Sequence, residues 1–257
     1  MTFNAIRVLR ENGVEHISVD VMMGMMNESK EDWINSIKNI ALLKPNTISF
    51  LPLTIRYDSS YGKTHNIKLK TSTKYYEWYD LGRKVLLNQN YYQQTNIRFV
   101  NDYGGNKQED LHYSLGSIIG IGAGARSYND VVDYLIESPK NGLEGVKEYI
   151  EAINNNSINE IIKYSFIFNE EEKIRQYLIL NYNGFSLDKI LSLKDKNFSN
   201  DILNFIAYLM RKGYLFYDKK YYFTDTGIKY HDLIALCFYS DTAKMSDPAL
   251  WEDIKYN

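Results

Sequence analysis

The apolar positions in the first third of the chain alternate between helical and strand spacing. Apolar residues that recur every three or four positions predict helices, and short runs rich in β-branched residues predict buried strands. The pattern predicts, in chain order, a helix over residues 3–12 that ends at Gly13, a strand over 16–24, a helix that begins at Ser29 and ends before Pro45, and a strand over 47–51. Residues 14–55 therefore form one βαβ unit, which we expect to cross over right-handed.

The later part of the chain changes from this alternation to a mostly helical pattern. The segments predicted after the polar stretch 56–73 are a helix over 74–88, strands over 97–100 and 117–121, and helices over 144–153, 157–163, 170–180, 202–211 and 226–238. Two short aromatic runs, 214–217 and 221–224, predict a hairpin between the last two helices. A helix, a hairpin and a helix in this order have the outline of a winged helix.

The predicted parallel sheet is incomplete. Parallel strands are normally flanked on both sides, and this sequence begins in the helix that precedes the first strand. The strand at 17–23 is therefore expected to have an unpaired edge or to need a partner.

Composition and charge narrow the class of protein. The 257 residues are 44% apolar, which is enough for one large core or two smaller ones. The formal net charge is −2 and the isoelectric point is near 6.1, so no global positive field attracts nucleic acid or an anionic membrane. We therefore expect neither of these to be a partner.

The sequence contains one cysteine, Cys237. A single thiol forms no internal disulfide and cannot alone hold zinc or an iron–sulfur cluster. The sequence also has no run of 18 apolar residues and no signal-peptide pattern at its start. These features predict a soluble protein of the reducing cytoplasm.

The strongest local signal for ligand binding is the glycine-rich turn Gly122-Ala-Gly124-Ala, directly after the strand at 117–121. Glycines in such a turn permit positive φ and let a ligand approach the backbone. The next residue, Arg126, carries a guanidinium that suits a carboxylate. The turn lacks the third glycine of the dinucleotide fingerprint, so a simple tight turn beside a buried strand is the alternative interpretation.

Asp20 lies near the carboxyl end of an otherwise apolar strand. A buried charge needs partners, and ligands of parallel α/β folds collect at this end of the strands. Recognition of a hydroxyl group is one use for Asp20, and capping of a neighbouring loop is the other. The surrounding methionines line an apolar pocket or fill the core; they are Met22, Met23, Met25 and Met26.

Four segments, in the same order, resemble radical S-adenosylmethionine enzymes of the oxygen-independent coproporphyrinogen III oxidase type. Residues 18–24 with 31–33 resemble the family segment DLIxGLPgQtxexW, and residues 43–49 resemble lxPdhiS. Residues 119–127 resemble lGlGaGAhS, and residues 223–227 resemble the closing LTxkG. The resemblance covers nearly the whole chain.

The resemblance implies an incomplete (β/α) barrel half over residues 1–143, followed by a mostly helical, winged-helix-like domain over 144–257 that covers the substrate. It also implies that Asp20 contacts the ribose or the methionyl part of adenosylmethionine and that Thr54 takes the adjacent place. The same resemblance sets Gly122, Gly124 and Arg126 beside the cofactor. It assigns no catalytic residue and no metal ligand to this chain.

The sequence departs from the family in the part that initiates the reaction. The family's cofactors are adenosylmethionine and a [4Fe–4S] cluster, and the CxxxCxxC motif that ligates the cluster is absent from this sequence. This absence predicts that the chain is a truncated, split or decayed relative of the family and that it cannot bind the cluster alone. The resemblance implies an N-terminal half that bears the motif as partner and a porphyrinogen-like substrate.

Two other functions stay open at this point. One is a non-catalytic protein that keeps the adenosylmethionine pocket or only the scaffold. The other is a nucleic-acid-binding or regulatory module on the winged-helix outline, which basic residues at Arg211-Lys212 and Lys219-Lys220 favour and the overall charge balance disfavours.

Overall fold

A computed structural model describes residues 2–25, 27–53, 73–101, 111, 116–129, 131–136, 142–181 and 184–246. Among these residues the chain divides into two compact units, one up to Asn101 and one from Leu111 onward. None of the helices in these ranges is both long and apolar enough to cross a bilayer.

The first unit is a mixed sheet with helices. Its elements are, in chain order, α1 (Thr2–Glu11), β1 (Ser18–Met23), α2 (Lys30–Leu42), β2 (Thr47–Pro52), α3 (Thr73–Leu87), β3 (Tyr92–Gln93) and β4 (Arg98–Val100). The strands follow the order β1-β2-β4-β3. β1 and β2 are parallel, with Asp20 opposite Ser49, as the predicted βαβ unit requires.

β4 departs from the all-parallel pattern that the alternation of helices and strands suggested. It pairs antiparallel with β2, and β3 pairs antiparallel with β4. The direction of a strand depends on how its connection turns, which the apolar spacing within the strand does not encode. β1 lies at the edge of the sheet, and none of the described strands pairs with its outer side.

Local sequence explains where α2 begins. The Ser29 hydroxyl accepts a hydrogen bond from the Asp32 backbone N–H at 3.0 Å, and the Asp32 carboxylate accepts one from the Ser29 N–H at 3.1 Å. This reciprocal capping box satisfies two backbone donors that a helix start would otherwise leave unpaired. The hydrogen bonds from Ser29 hold the pKa of Asp32 below its ordinary value.

The second unit contains a three-stranded sheet, a hairpin and a set of helices. Its elements are, in chain order, β5 (Arg126–Tyr128), β6 (Val132–Ile136), α4 (Gly142–Asn154), a 3₁₀-helix (Ile158–Ile161), β7 (Ile162–Ile167), α5 (Glu170–Leu180), α6 (Asp188–Leu191), α7 (Lys196–Arg211), β8 (Leu215–Asp218), β9 (Lys220–Phe223), α8 (Asp225–Lys229), α9 (His231–Phe238) and α10 (Asp241–Ser246). The sheet has the order β5-β6-β7, and all its pairs are antiparallel.

The helix predicted over 157–163 is wrong in its second half. Only one 3₁₀ turn forms, and the chain then becomes β7. Residues 162–167 contain two isoleucines, a tyrosine and a phenylalanine, and such residues favour a strand once β6 is available as a partner. β6 and β7, which lie before and after residue 143, pair with each other. The domain boundary expected at 143/144 stays a prediction.

The hairpin and the helices around it follow the predicted order but not all of the predicted bounds. α7 begins at Lys196 and not at 202, the single helix predicted over 226–238 is divided into α8 and α9, and α6 was not predicted. β8 and β9 pair antiparallel, and Lys219 at their tip has a φ of 61°. A core of thirteen buried residues joins α5, α6, α7, the hairpin and α9. Leu178 and Ile190 are fully buried within it. The amphipathic spacing of the helices therefore accounts for this part of the fold.

His231 supplies a pH dependence to the stability of this core. Its ring is 2% exposed and lies edge-on to Phe223 at 4.8 Å between centroids. Burial lowers the pKa of His231 to about 4, from 6.5. Between these values the unfolded chain binds more protons than the folded one, so the free energy of unfolding falls as the pH falls from 6.5 toward 4.

We expect this residue to contribute about 3 kcal/mol of stability above pH 6.5 that is lost by pH 4. Urea unfolding of wild type and His231→Gln across this range measures the contribution as a difference in slope. His16→Gln, which changes an exposed histidine of the first unit, is the control and should keep the wild-type slope. Equal slopes for wild type and His231→Gln would contradict the assignment.

Candidate functional site

The glycine-rich segment lies along the edge of the second unit's sheet. Ile118 and Tyr128 exchange two backbone hydrogen bonds of 2.8 and 2.9 Å, so the predicted strand at 117–121 is present as a single bridge. The backbone N–H of Gly120 donates to the Ser127 hydroxyl at 2.9 Å. These bonds fix the start of the turn against β5.

Glycine is required in this segment for two different reasons. Gly122 and Gly124 have φ values of 121° and 77°, and a Cβ at either would meet no atom within 4 Å. Space is therefore open on the Cβ side of this turn, whereas the Gly124 N–H donates to the Ile136 carbonyl oxygen at 2.6 Å and the Gly122 carbonyl oxygen accepts from the Ala125 N–H at 3.2 Å. The role of the turn in ligand binding stays a prediction. Gly120 was not predicted: a Cβ there would lie 2.5 Å from the Arg126 carbonyl oxygen, so close packing excludes any side chain.

Arg126 forms a two-point ion pair with Asp133. Nε and Nη2 each donate to one carboxylate oxygen of Asp133 at 2.8 Å. The Asp133 side chain is 17% exposed and that of Arg126 is 55% exposed. Bidentate geometry holds the guanidinium in place. A ligand carboxylate at Arg126 would therefore meet an arginine that is already oriented and partly neutralised.

Tyr239 joins this ion pair from the segment after α9. Burial raises the pKa of the Tyr239 hydroxyl, the Arg126 guanidinium opposes that rise, and the Asp133 and Asp232 carboxylates reinforce it. Sequence reasoning missed both Tyr239 and Asp133. Asp133 alternates with apolar residues in a strand-like run, which is a weak signal, and Tyr239 is brought near only by folding.

Asp20 is more exposed than its apolar surroundings in the sequence suggested. It is an exposed residue of β1, and within the described ranges no hydrogen-bond donor or cation pairs with its carboxylate. The expectation of a buried charge with obligatory partners was wrong, because side chains alternate along β1 and Asp20 shares the exposed face with Ser18 and Met22. An exposed carboxylate at this position is accessible to a ligand hydroxyl.

The turn after β1 is closed by a residue that the sequence analysis did not single out. The Glu28 carboxylate accepts hydrogen bonds from the backbone N–H groups of Gly24 and Met25 at 2.9 and 3.0 Å. Gly24 has a φ of 87°, which glycine adopts without strain. Of the methionines beside the turn, Met23 is buried in the core, whereas Met22 and Met25 are about half exposed.

The structure brings Gly122, Gly124 and Arg126 together in one turn of the second unit, whereas Asp20 belongs to the first unit. Thr54 lies outside the described residues, as does Met26. Each part of the predicted site is therefore defined locally.

The residues do not fit an iron–sulfur cluster. Cys237, the one cysteine in the sequence, is exposed on α9, whereas such clusters use several thiolates. Within the described ranges, no group of three or more histidine, cysteine, aspartate or glutamate residues is arranged to hold a metal ion.

Comparison with known proteins places this chain by fold. No protein-family model matches it, and no curated protein matches its sequence. Among solved structures it is similar to a radical SAM enzyme. That structure is coproporphyrinogen III oxidase (HemN) from Escherichia coli, with a TM-score of 0.72, 15% sequence identity and alignment over 92% of this chain.

The alignment covers 58% of the E. coli chain, so this chain spans less than two thirds of that protein. At 15% identity the likeness establishes the fold alone: the chain has a mixed α/β, HemN-like fold.

Proposed function

We propose that this chain is the adenosylmethionine-binding and substrate-covering part of a HemN-like radical SAM system. The observation that carries the proposal is the fold similarity, which extends over 92% of the chain. The four sequence segments that resemble the same family support it independently. The proposed chemistry belongs to porphyrin metabolism, with a porphyrinogen-like substrate.

Asp20 and the glycine turn are the proposed contacts with adenosylmethionine. The exposed Asp20 carboxylate can accept hydrogen bonds from ribose hydroxyl groups. The open space beside Gly122 and Gly124 lets a flat or extended ligand lie close to the main chain of the turn. Bound adenosylmethionine would supply the 5′-deoxyadenosyl group on which this class of enzymes depends.

The cluster thiolates must come from a polypeptide segment outside this sequence. We propose that this cysteine-bearing part docks beside β1, whose outer edge is unpaired among the described strands. Exposed strand edges present a row of backbone donors and acceptors to another strand. On this proposal the 257-residue chain is inactive alone and becomes part of an oxidoreductase when the cysteine-bearing part is present.

Calorimetric titration of the chain with adenosylmethionine tests the cofactor site. We expect binding by the wild type and an affinity at least about tenfold lower for Asp20→Ala, because hydrogen bonds to a charged group are lost. Asp201→Ala, which changes an exposed aspartate of α7, is the matched control and should bind as the wild type does. Absence of wild-type binding would leave only a scaffold role.

Supplying the cysteine-bearing part in trans tests the radical chemistry. With the cluster reconstituted and a chemical reductant present, we expect 5′-deoxyadenosine only when both parts are combined. No product from the combined parts, with the cluster demonstrably present, would contradict the proposal.

One observation favours nucleic-acid binding as a second candidate. The hairpin β8–β9 exposes Phe216 and Tyr217 beside Lys219 and Lys220, and aromatic and basic side chains together can contact bases and phosphates. Duplex and single-stranded oligonucleotides at low salt test this candidate, since phosphate contacts are strongest there. Undetectable binding under these conditions would eliminate it.

A further inference from the structure

A cleft of about 420 Å³ lies between α5, α6 and the turn that follows α6. It belongs to the second unit and involves neither Asp20 nor the glycine turn. Its volume falls within the range of small-molecule sites, roughly 300 to 1,000 Å³. The cleft is therefore large enough for a ligand of the size of a metabolite.

Three lysines from three different places line the cleft: Lys173 on α5, Lys189 on α6 and Lys194 in the turn. Within the described ranges none of them forms an ion pair with a carboxylate, and Glu170 is the one acidic residue of the lining. This concentration of positive charge contrasts with the net charge of −2 for the whole chain. Such a cleft attracts anions.

Two aspartates adjoin the cleft lysines in the sequence, Asp188 before Lys189 and Asp195 after Lys194, and both accept hydrogen bonds from other groups. The Asp188 carboxylate accepts a hydrogen bond from the Ser186 hydroxyl at 2.9 Å. The Asp195 carboxylate caps α7 by accepting from the backbone N–H groups of Asn197 and Phe198. Neither aspartate therefore supplies an ion pair that would neutralise the cleft lysines.

The turn that forms one wall has its carbonyl oxygens satisfied from within. Lys196 Nζ donates to the carbonyl oxygens of Leu191 and Leu193 at 3.2 and 2.9 Å. The Ser199 hydroxyl donates to the Ile190 carbonyl oxygen at 3.0 Å, and the Ser192 hydroxyl donates to the Lys189 carbonyl oxygen at 2.9 Å. An anion beside this wall therefore faces few unsatisfied acceptors, and the wall is held rigid.

Lys189 is positioned before any ligand binds. Its Nζ lies 4.5 Å from the centre of the Tyr177 ring, a cation–π contact. The Tyr177 hydroxyl in turn accepts a hydrogen bond from the Ser186 backbone N–H at 3.0 Å. Preorganisation of this kind lowers the entropy cost of ligand binding.

The floor of the cleft is apolar. Ile174 and Leu193 both line it and both belong to the buried core of this unit. We infer that the cleft binds a small phosphorylated molecule with a flat apolar part, the chemical class of the nucleotides. The lysines contact the phosphates, and the apolar part lies against Ile174 and Leu193.

Calorimetric titration with ADP at low ionic strength tests this inference. We expect binding that weakens with added salt, and about fivefold to tenfold lower affinity for Lys173→Gln or Lys194→Gln, since each removes a charged donor. Lys147→Gln, which changes an exposed lysine of α4, is the control and should leave the affinity unchanged. Adenosine and inorganic pyrophosphate should each bind more weakly than ADP.

Three results would overturn the inference: no ADP binding at low salt, equal weakening by Lys147→Gln, or tighter binding of a single-stranded oligonucleotide than of ADP. Adenosylmethionine titration of Lys173→Gln separates this site from the proposed cofactor site. We expect that affinity to equal the wild-type value, and a parallel loss of both ligands would show that the two sites are one.

Discussion

Replacement of Gly227 by alanine is expected to lower the free energy of unfolding by about 3 kcal/mol or more, because overpacking a rigid backbone site is costly. A Cβ at this position would lie 2.0 Å from the Tyr214 carbonyl oxygen. Two non-bonded atoms cannot approach so closely, so α8 or the start of the hairpin must move. Gly227 lies in the segment 223–227, which resembled the closing motif of the family.

The surrounding hydrogen bonds make that movement costly. The Tyr214 oxygen accepts from the Thr224 backbone N–H at 3.0 Å. The Thr224 hydroxyl accepts from the Gly227 N–H at 3.0 Å and donates to the Gly213 carbonyl at 2.7 Å. A shift that relieves the clash therefore strains the cap of α8 and its connection to the hairpin at the same time.

Urea unfolding followed by far-ultraviolet circular dichroism measures this effect. Gly213→Ala is the matched control, because Gly213 has a φ of 74° but open space around its Cβ position. It should cost only about 1 kcal/mol, the penalty of a left-handed conformation for alanine. Equal losses in the two variants would mean that the close approach to Tyr214 is not what restricts position 227.

Truncation of Trp33 to alanine is expected to cost about 4 kcal/mol, as for other large aromatic side chains removed from a core. Trp33 is fully buried and lies edge-on to Phe50 at 5.1 Å between ring centroids. Its Nε1 donates to the Trp78 carbonyl oxygen at 2.8 Å, so α2 is joined to α3 by this residue. Both the packing and the hydrogen bond are lost on truncation.

The room for these rings depends on Gly82 of α3. A Cβ there would lie 2.9 Å from both the Trp33 and the Phe50 ring. Only glycine at position 82 lets α3 approach the two rings this closely. Because the elements around the rings are already in close contact, we expect them to move little into the space that Trp33 leaves. The cavity that remains is part of the expected loss.

Leu42→Ala is the control for the loss of stability expected from Trp33→Ala. Leu42 ends the same helix but is 68% exposed, so its truncation should change the free energy of unfolding by less than about 0.5 kcal/mol. Far-ultraviolet circular dichroism in urea serves for both variants, since tryptophan fluorescence is altered by the substitution itself. A loss below about 1 kcal/mol for Trp33→Ala would contradict this packing of α2 against α3.

The elements that could be predicted are those whose signals are local. The start of α2 follows from the Ser29 and Asp32 spacing, and the hairpin follows from two aromatic runs separated by a short polar link. The antiparallel pairing of β4 and the strand β7 could not be predicted in the same way. Strand pairing depends on contacts between distant residues, which a single sequence does not specify.

In the candidate site, too, the features that could be predicted are local, and those that could not depend on contacts between separate segments. The positive φ values of Gly122 and Gly124 agree with what a glycine-rich turn predicts. The requirement for Gly120 arises from the neighbouring strand, and Asp133 reaches Arg126 only across the β5–β6 pair. Asp20 was expected to be buried because its neighbours in the sequence are apolar. Only one face of β1 is covered, however, and Asp20 lies on the other face, which local apolar character does not reveal.

The exposed carboxylate of Asp20 also determines which strands β1 can accept. Two copies of β1 paired antiparallel in the register centred on Asp20 would bring two Asp20 side chains opposite each other, where like charges destabilise the pair. A strand with lysine or arginine at that place would meet attraction instead. In this register β1 therefore disfavours a second copy of itself and favours a different, cationic strand.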